Sequence, residues 1–295
     1  MHAQDSSNIE IRVDFEKGVG DPTRIFKTMA GLIEAAQSLD SHLAVSVGAE
    51  VKTALVLQDV EVSSLKAILR TVFSSLPEDA IRDGEVKKVV GHYLLLAKHR
   101  VLDWCGDRDQ IDSREDIKQL QHELHELAEA TNIQAIPAYA LVDIPTLLAD
   151  ISQIRDALSH LAANDDASLR SDAGQSQFNR RLEVSPEIVR ELVTRETIPT
   201  QGERIVKVKK PDYLGNSMWE FRHGGRTIEA KMADAAWLAR FQSGAEPLNP
   251  GDSLRVEMRE EVSYGYDSDV VHVEYTVLSV IDRLPALRGI QGTLP

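Results

Sequence analysis

The chain is poor in cysteine and aromatics, short of positive charge, and without a long apolar run. Its single cysteine, Cys105, excludes an internal disulfide framework and a multi-cysteine zinc site, and suits a reducing cytoplasm. No apolar stretch approaches the roughly 20 residues a helix needs to cross a bilayer. The opening Met1-His-Ala-Gln-Asp-Ser-Ser7 carries neither a basic n-region nor an apolar core. A cytoplasmic protein with no signal peptide and no membrane partner is therefore expected. The 33 Lys and Arg stand against 47 Asp and Glu, a formal charge of -14. That field opposes general binding to nucleic acid or anionic lipid, so any such contact must sit in a local basic patch. Phosphate-cradling loops are also missing. Gly18-Val-Gly-Asp-Pro22 lacks the third glycine of a dinucleotide fingerprint and the lysine of a P-loop. There is no Gly-x-Ser-x-Gly elbow and no repeat at solenoid period.

What is present is apolar content of 42% over 295 residues, enough for two working cores. An α+β protein is expected: an N-terminal strand-helix domain extended by long helices (1–162), a polar linker (163–182), a small antiparallel β-barrel with one helix (183–285), and a loose tail (286–295). Residues 9–15 alternate as a strand, and Asp21-Pro22 caps a helix carrying Ile25, Met29, Leu32 and Ala36 on one face. Residues 51–62 read as a second strand. Ser63-Ser64 then suits the cap of a helix bearing Leu65, Ile68, Leu69, Val72 and Phe73. Three further helices are expected, from 79 to the region of Trp104, over 113–131 and over 146–162. The stretch that follows is rich in Ser, Asp, Ala and Gln, which is the composition of a mobile tether.

The C-terminal third concentrates strand signals. Residues 204–210, 218–223, 226–232, 252–258 and 270–281 alternate apolar with polar, and Gly224-Gly225 supplies the positive φ angles of a two-residue hairpin. Ala236, Trp237, Leu238 and Phe241 set a short helix among them. Closing such a sheet into a barrel removes its edges.

Chemistry-bearing patterns are few. His122-Glu-Leu-His-Glu126 approaches the zinc-protease motif, but its histidines are three apart rather than four. His122 with Glu126 is the remaining metal pair, set against a solvated polar helix. Cys105 follows an apolar stripe beside Asp103 and Asp107, a structural thiol rather than a nucleophile. Pro211-Asp212 with Glu229-Ala-Lys231 resembles the Pro-Asp … Glu-x-Lys signature of the restriction-endonuclease-like nucleases. That resemblance implies Asp212 and Glu229 holding Mg²⁺ or Mn²⁺ with Lys231 as catalytic cation. The alternative is an amphipathic strand with Glu229 and Lys231 outward. Local charge offers a third pattern. Between Glu203 and Lys231, seven Lys or Arg oppose four acids, with Tyr213, Trp219 and Phe221 interleaved. A contact surface over Lys207, Lys209, Lys210, Tyr213, Trp219, Arg222 and His223 is expected, for protein or for single-stranded nucleic acid. The two-residue spacing of Trp219 and Phe221 equally suits a shared core face.

The sequence Trp219-Glu-Phe221, then Gly225-Arg-Thr-Ile-Glu-Ala-Lys231, Trp237-Leu238 and Pro250-Gly-Asp-Ser-Leu-Arg-Val256 is similar to a small β module of uncharacterised bacterial proteins. Those proteins accompany effectors in mobile or defence islands. The resemblance spans the last third of the chain and implies no catalytic residue. The expected function is a non-enzymatic interaction or adaptor subunit, without cofactor, that contacts a protein partner through the barrel. The alternatives are the metal-dependent nuclease and the nucleic-acid-binding module.

Overall fold

Along β1 (Asn8–Asp14), Ile9, Ile11 and Val13 are buried while Glu10, Arg12 and Asp14 stay accessible, the pattern of a strand with one covered face. The computed structural model describes residues 8–47, 52–61, 64–75, 84–131 and 140–286. These fall in two units, Met1–Leu192 and Val193–Pro295. In the first, β1 is the centre of an antiparallel five-stranded sheet. It pairs with β3 (Leu65–Ser75) on one edge and β4 (Asp166–Ser171) on the other; β2 (Lys52–Glu61) and β5 (Gly174–Gln177) lie outermost.

The covered face meets α1 (Thr23–Val47), α2 (Gly84–Gly106) and α4 (Ile144–Leu158). Ile25, Met29, Leu32 and Ala36 of α1, Leu95 and Leu102 of α2, and Ile154, Ala157 and Leu158 of α4 complete one core with the inward strand residues. Asp21 accepts from the Thr23 N–H at 2.9 Å and starts α1 as the Asp-Pro pattern predicts. Between them, α3 (Arg114–Ala130) opens on a reciprocal Ser113/Asp116 capping box and buries Ile117, Leu120, Leu124 and Ala128. A short α5 (Pro186–Val193) leads to the second unit.

Two expectations fail here. The helix placed after residues 63–64 is strand β3. Its inward positions are Ala67, Leu69 and Thr71, two of them too small or polar for an apolar scan to notice. The polar tether expected over 163–182 contains β4 and β5, so it belongs to the first unit's sheet. Its polar residues have buried partners. Asp165 is fully buried, taking Arg24 Nε at 2.8 Å and Nη2 at 3.2 Å plus the N–H groups of Glu16 and Ala162. Burial opposes its ionisation, yet Arg24 and the two N–H groups win, and its pKa falls. Ser171 and Ser176 hold the two ring nitrogens of buried His99, each at 2.7 Å. The boundary therefore lies near residue 192 rather than in a linker. The tail expected over 286–295 lies outside the described residues beyond 286.

The second unit is the expected barrel, closed in the order β10-β8-β7-β6-β9. Its strands are β6 (Thr194–Lys210), β7 (Trp219–His223), β8 (Arg226–Met232), β9 (Ser253–Gly265) and β10 (Val270–Leu284). Gly224 (φ 54°) and Gly225 (φ 82°) make the β7–β8 turn. Closure comes from a parallel contact of Tyr275–Val277 with Ala230–Met232. Helix α6 (Ala235–Gln242) inserts Trp237 and Phe241 against Trp219, with ring centroids 5.9 and 5.0 Å away. The strands β6, β9 and β10 outrun the barrel. Only 207–210 of β6 pair with β7, and only 275–277 of β10 pair with β8. Residues 194–201, 259–265 and 270–274 thus continue as a three-stranded ribbon with β9 in the middle.

Candidate functional site

Alternation on β6 and β7 decides which charges reach solvent. Val206, Val208, Trp219 and Phe221 point inward, so Lys207 and Arg222 point outward, and the two are directly opposite in the β6–β7 register. Both are exposed, and neither has an ion-pair partner among the described residues. Arg255 joins them from β9. Lys207 lies opposite Ser253 and Ile205 opposite Arg255, which sets Arg255 diagonally across from Lys207. Ile205, 57% exposed, sits in the middle of this cationic face. Like charges directly opposite on a sheet are unfavourable, so the fold holds Lys207 and Arg222 together at a cost in stability. His223 closes the edge, with Nδ1 3.3 Å from the Ile205 carbonyl oxygen.

The remaining expected contact residues divide. Lys209 and Lys210 both bind Glu220, at 3.0 and 3.7 Å, and the Lys209 hydrogen bond is the main reason the Glu220 carboxyl sits below its ordinary pKa. Their charge is partly spent within the face. Tyr213 is exposed but leans on Phe241, with ring centroids 5.1 Å apart. Trp219 is wholly buried at the centre of the aromatic cluster and offers nothing to a ligand. It is core, because its strand position shares the inward parity of Phe221. Sequence reasoning missed Arg255: it lies 24 residues beyond Lys231, where the basic stretch ends, and only the β6–β9 register brings it in.

The other chemistry is placed as follows. Asp212 lies in the β6–β7 loop and is consumed by it. Oδ1 accepts from the Leu214 and Gly215 N–H groups at 3.0 and 2.9 Å, and Oδ2 from the Ser217 N–H and hydroxyl at 2.9 and 2.6 Å. The Ser217 hydroxyl and these backbone groups hold its pKa far below the carboxylate range. Glu229 and Lys231 lie on the outer side of β8, alternating with Ile228, Ala230 and Met232, and Glu229 faces Glu220 across the hairpin. His122 Nε2 lies 3.4 Å from Glu126 on the exposed face of α3, and His125 lies 3.6 Å from Glu129. Among the described residues no group of three His, Cys, Asp or Glu could hold a metal. Cys105 is buried, and that burial pushes its thiol up to about 12 despite the nearby Arg108. No protein-family model, curated protein or solved structure matches the chain.

Proposed function

We propose that the protein is a non-enzymatic interaction subunit of a bacterial multi-protein system, docking an acidic partner through the outer β9–β6–β7 face of its barrel. The observation that carries this reading is the trio Lys207, Arg222 and Arg255 around exposed Ile205, none of them in an ion pair among the described residues. Gathered from three strands onto one face of an acidic chain, with Asp282 opposite Arg255 in the β9–β10 register as their acidic neighbour, these cations attract and orient an anionic surface. An apolar residue in their midst suits the dry centre of a protein contact. Of the aromatics on which single-stranded bases would stack, Trp219 and Phe221 are inside and Tyr213 leans on Phe241. A metal-nuclease reading needs Asp212 free, and its oxygens are engaged by their own loop. The likeness of the module to accessory proteins of mobile or defence islands supports a role beside other effectors.

Fluorescent poly-L-glutamate, titrated at low and high salt beside a single-stranded oligonucleotide, tests the reading. The expected result is salt-sensitive binding of the polyglutamate, weakened at least about tenfold by Lys207→Glu/Arg222→Glu. Unchanged binding in that variant, or clear preference for the oligonucleotide, overturns it.

A further inference from the structure

The unit that carries the cationic face also carries its electrostatic complement. Over 202–210, β7, β8 and 253–255, eight Lys or Arg stand against three acids, Glu203, Glu220 and Glu229. Over the ribbon, residues 194–201 and 259–274, the balance reverses: Arg195 and Arg259 stand against six acids. Both ribbon cations are already neutralised. Arg195 pairs with its neighbour Glu196, and Arg259 reaches Glu261 at 3.1 Å. The acids left over are Glu260, Asp267, Asp269 and Glu274. Glu260 lies against the Tyr275 hydroxyl; Asp267, Asp269 and Glu274 are exposed, two of them in the β9–β10 turn itself. That turn also shows apolar surface: Tyr266, Val270 and Val271 are all more than a third exposed. An acidic tip with apolar centre thus matches a basic wall centred on Ile205.

The tip cannot reach its own wall. Lys207 pairs with Ser253 and Thr194 with Gly265, so twelve residues of hydrogen-bonded β9 separate the two. At about 3.3 Å per residue this is about 40 Å of paired strand. The sheet that presents the tip also holds it away. Edge-to-edge addition along the β6 side of the ribbon is disfavoured as well. The Val208 N–H donates to Asp252 on the β9 side at 3.0 Å. By alternation the odd-numbered residues of β6 turn their backbone groups to the open edge, and Pro199 has no N–H to offer there.

We infer that the occupant of the cationic face is a second copy of this chain, docking the acidic ribbon tip Tyr266–Val270 with Glu274 onto Lys207, Arg222, Arg255 and Ile205. This rests on the proposed docking function of the face and names its partner. Tip and wall are different surfaces, so the contact is heterologous: each copy offers one of each, and association proceeds head to tail into a closed ring or an open chain. Ionic contacts at the rim make it salt-sensitive, because exposed charges more than about 10 Å apart are screened at 0.1 M salt.

The test uses the full chain and reads weight-average mass by sedimentation or light scattering across protein concentration and salt. Wild type is expected to rise from one chain to two or more at low salt and to return to one at high salt. Lys207→Glu/Arg222→Glu alone, and Asp267→Lys/Asp269→Lys/Glu274→Lys alone, should each remain single chains with unchanged circular dichroism. An equimolar mixture of the two should associate again, since the acidic tip of one variant meets the basic wall of the other and the sign-exchanged tip and wall meet likewise. Both sets in a single chain should restore association by exchanging the signs. Wild type monomeric throughout, a tip variant that associates like wild type, or a mixture that stays monomeric overturns the inference. A monomeric wild type that still binds polyglutamate through Lys207 and Arg222 sinks the self-association alone. Loss of both sinks the docking function with it.

Discussion

Lys207 and Arg222 show how a residue choice can work against stability. Two cations directly opposite on neighbouring strands repel. Lys207→Glu should therefore stabilise the barrel by roughly 0.5 kcal/mol while weakening polyglutamate binding, and a denaturant melt beside the titration checks both. A destabilised melt would remove the argument that the pair is kept for contact. His99 gives the second residue-scale prediction. Burial chiefly, with Lys98 beside it, lowers its pKa, against a smaller upward pull from Asp103. A folded pKa below the ordinary value near 6.5 means the unfolded chain binds the proton more readily. The stabilising contribution is thus full above pH of about 6.5 and is lost as pH falls through the folded pKa. His99→Gln should flatten that acid slope in denaturant midpoints; an unchanged slope would assign it elsewhere. Residue identities alone located the basic stretch. They could not show that Lys209 and Lys210 are occupied by Glu220 while Lys207 is free, because that depends on which strand lies beside which.

Elements whose polar and apolar residues alternate without ambiguity were legible: β1, the Gly224-Gly225 hairpin, the capped start of α1 and the Trp237 helix. Strand β3 was not, because Leu65, Ile68, Leu69 and Val72 also fit helical spacing and only pairing with β1 and β2 decides between periods. Strands β4 and β5 were hidden for another reason. Their inward serines satisfy a buried histidine, so polarity there reports a hydrogen-bond network rather than exposure. Packing between helices is equally silent in the sequence. Gly31 on α1 lies so close to α4 that an added Cβ would come within 2.7 Å of the Ala157 Cβ and 3.2 Å of its Cα. Gly31→Ala should cost about 1–3 kcal/mol through overpacking, despite alanine's better helix propensity. A thermal melt of the variant reads this directly, and a rise in Tm would mean the crossing relaxes freely.

At the scale of the whole molecule, the charge of -14 is unevenly held. Residues 193–295 contain thirteen Lys or Arg and fifteen Asp or Glu, so nearly all of the surplus acid belongs to the first unit. The second unit has its own core around Trp219, Phe221, Leu254 and Val256. Expressed alone, residues 193–295 should melt cooperatively and keep polyglutamate binding; a broad, uncooperative transition would show that this core is insufficient by itself. The manner of closure has a further consequence, for the order in which the chain is made. The parallel contact that shuts the barrel joins Ala230–Met232 to Tyr275–Val277, and the central strand β9 pairs backwards across some seventy residues to Thr194. A nascent chain emerging from the ribosome at about 5–20 residues per second can turn the β7–β8 hairpin early. It must then hold Trp219 and Phe221 uncovered for several seconds until β9 and β10 arrive. Such distant pairings fold slowly, which makes the half-synthesised barrel the stage at which this chain most needs protection from aggregation.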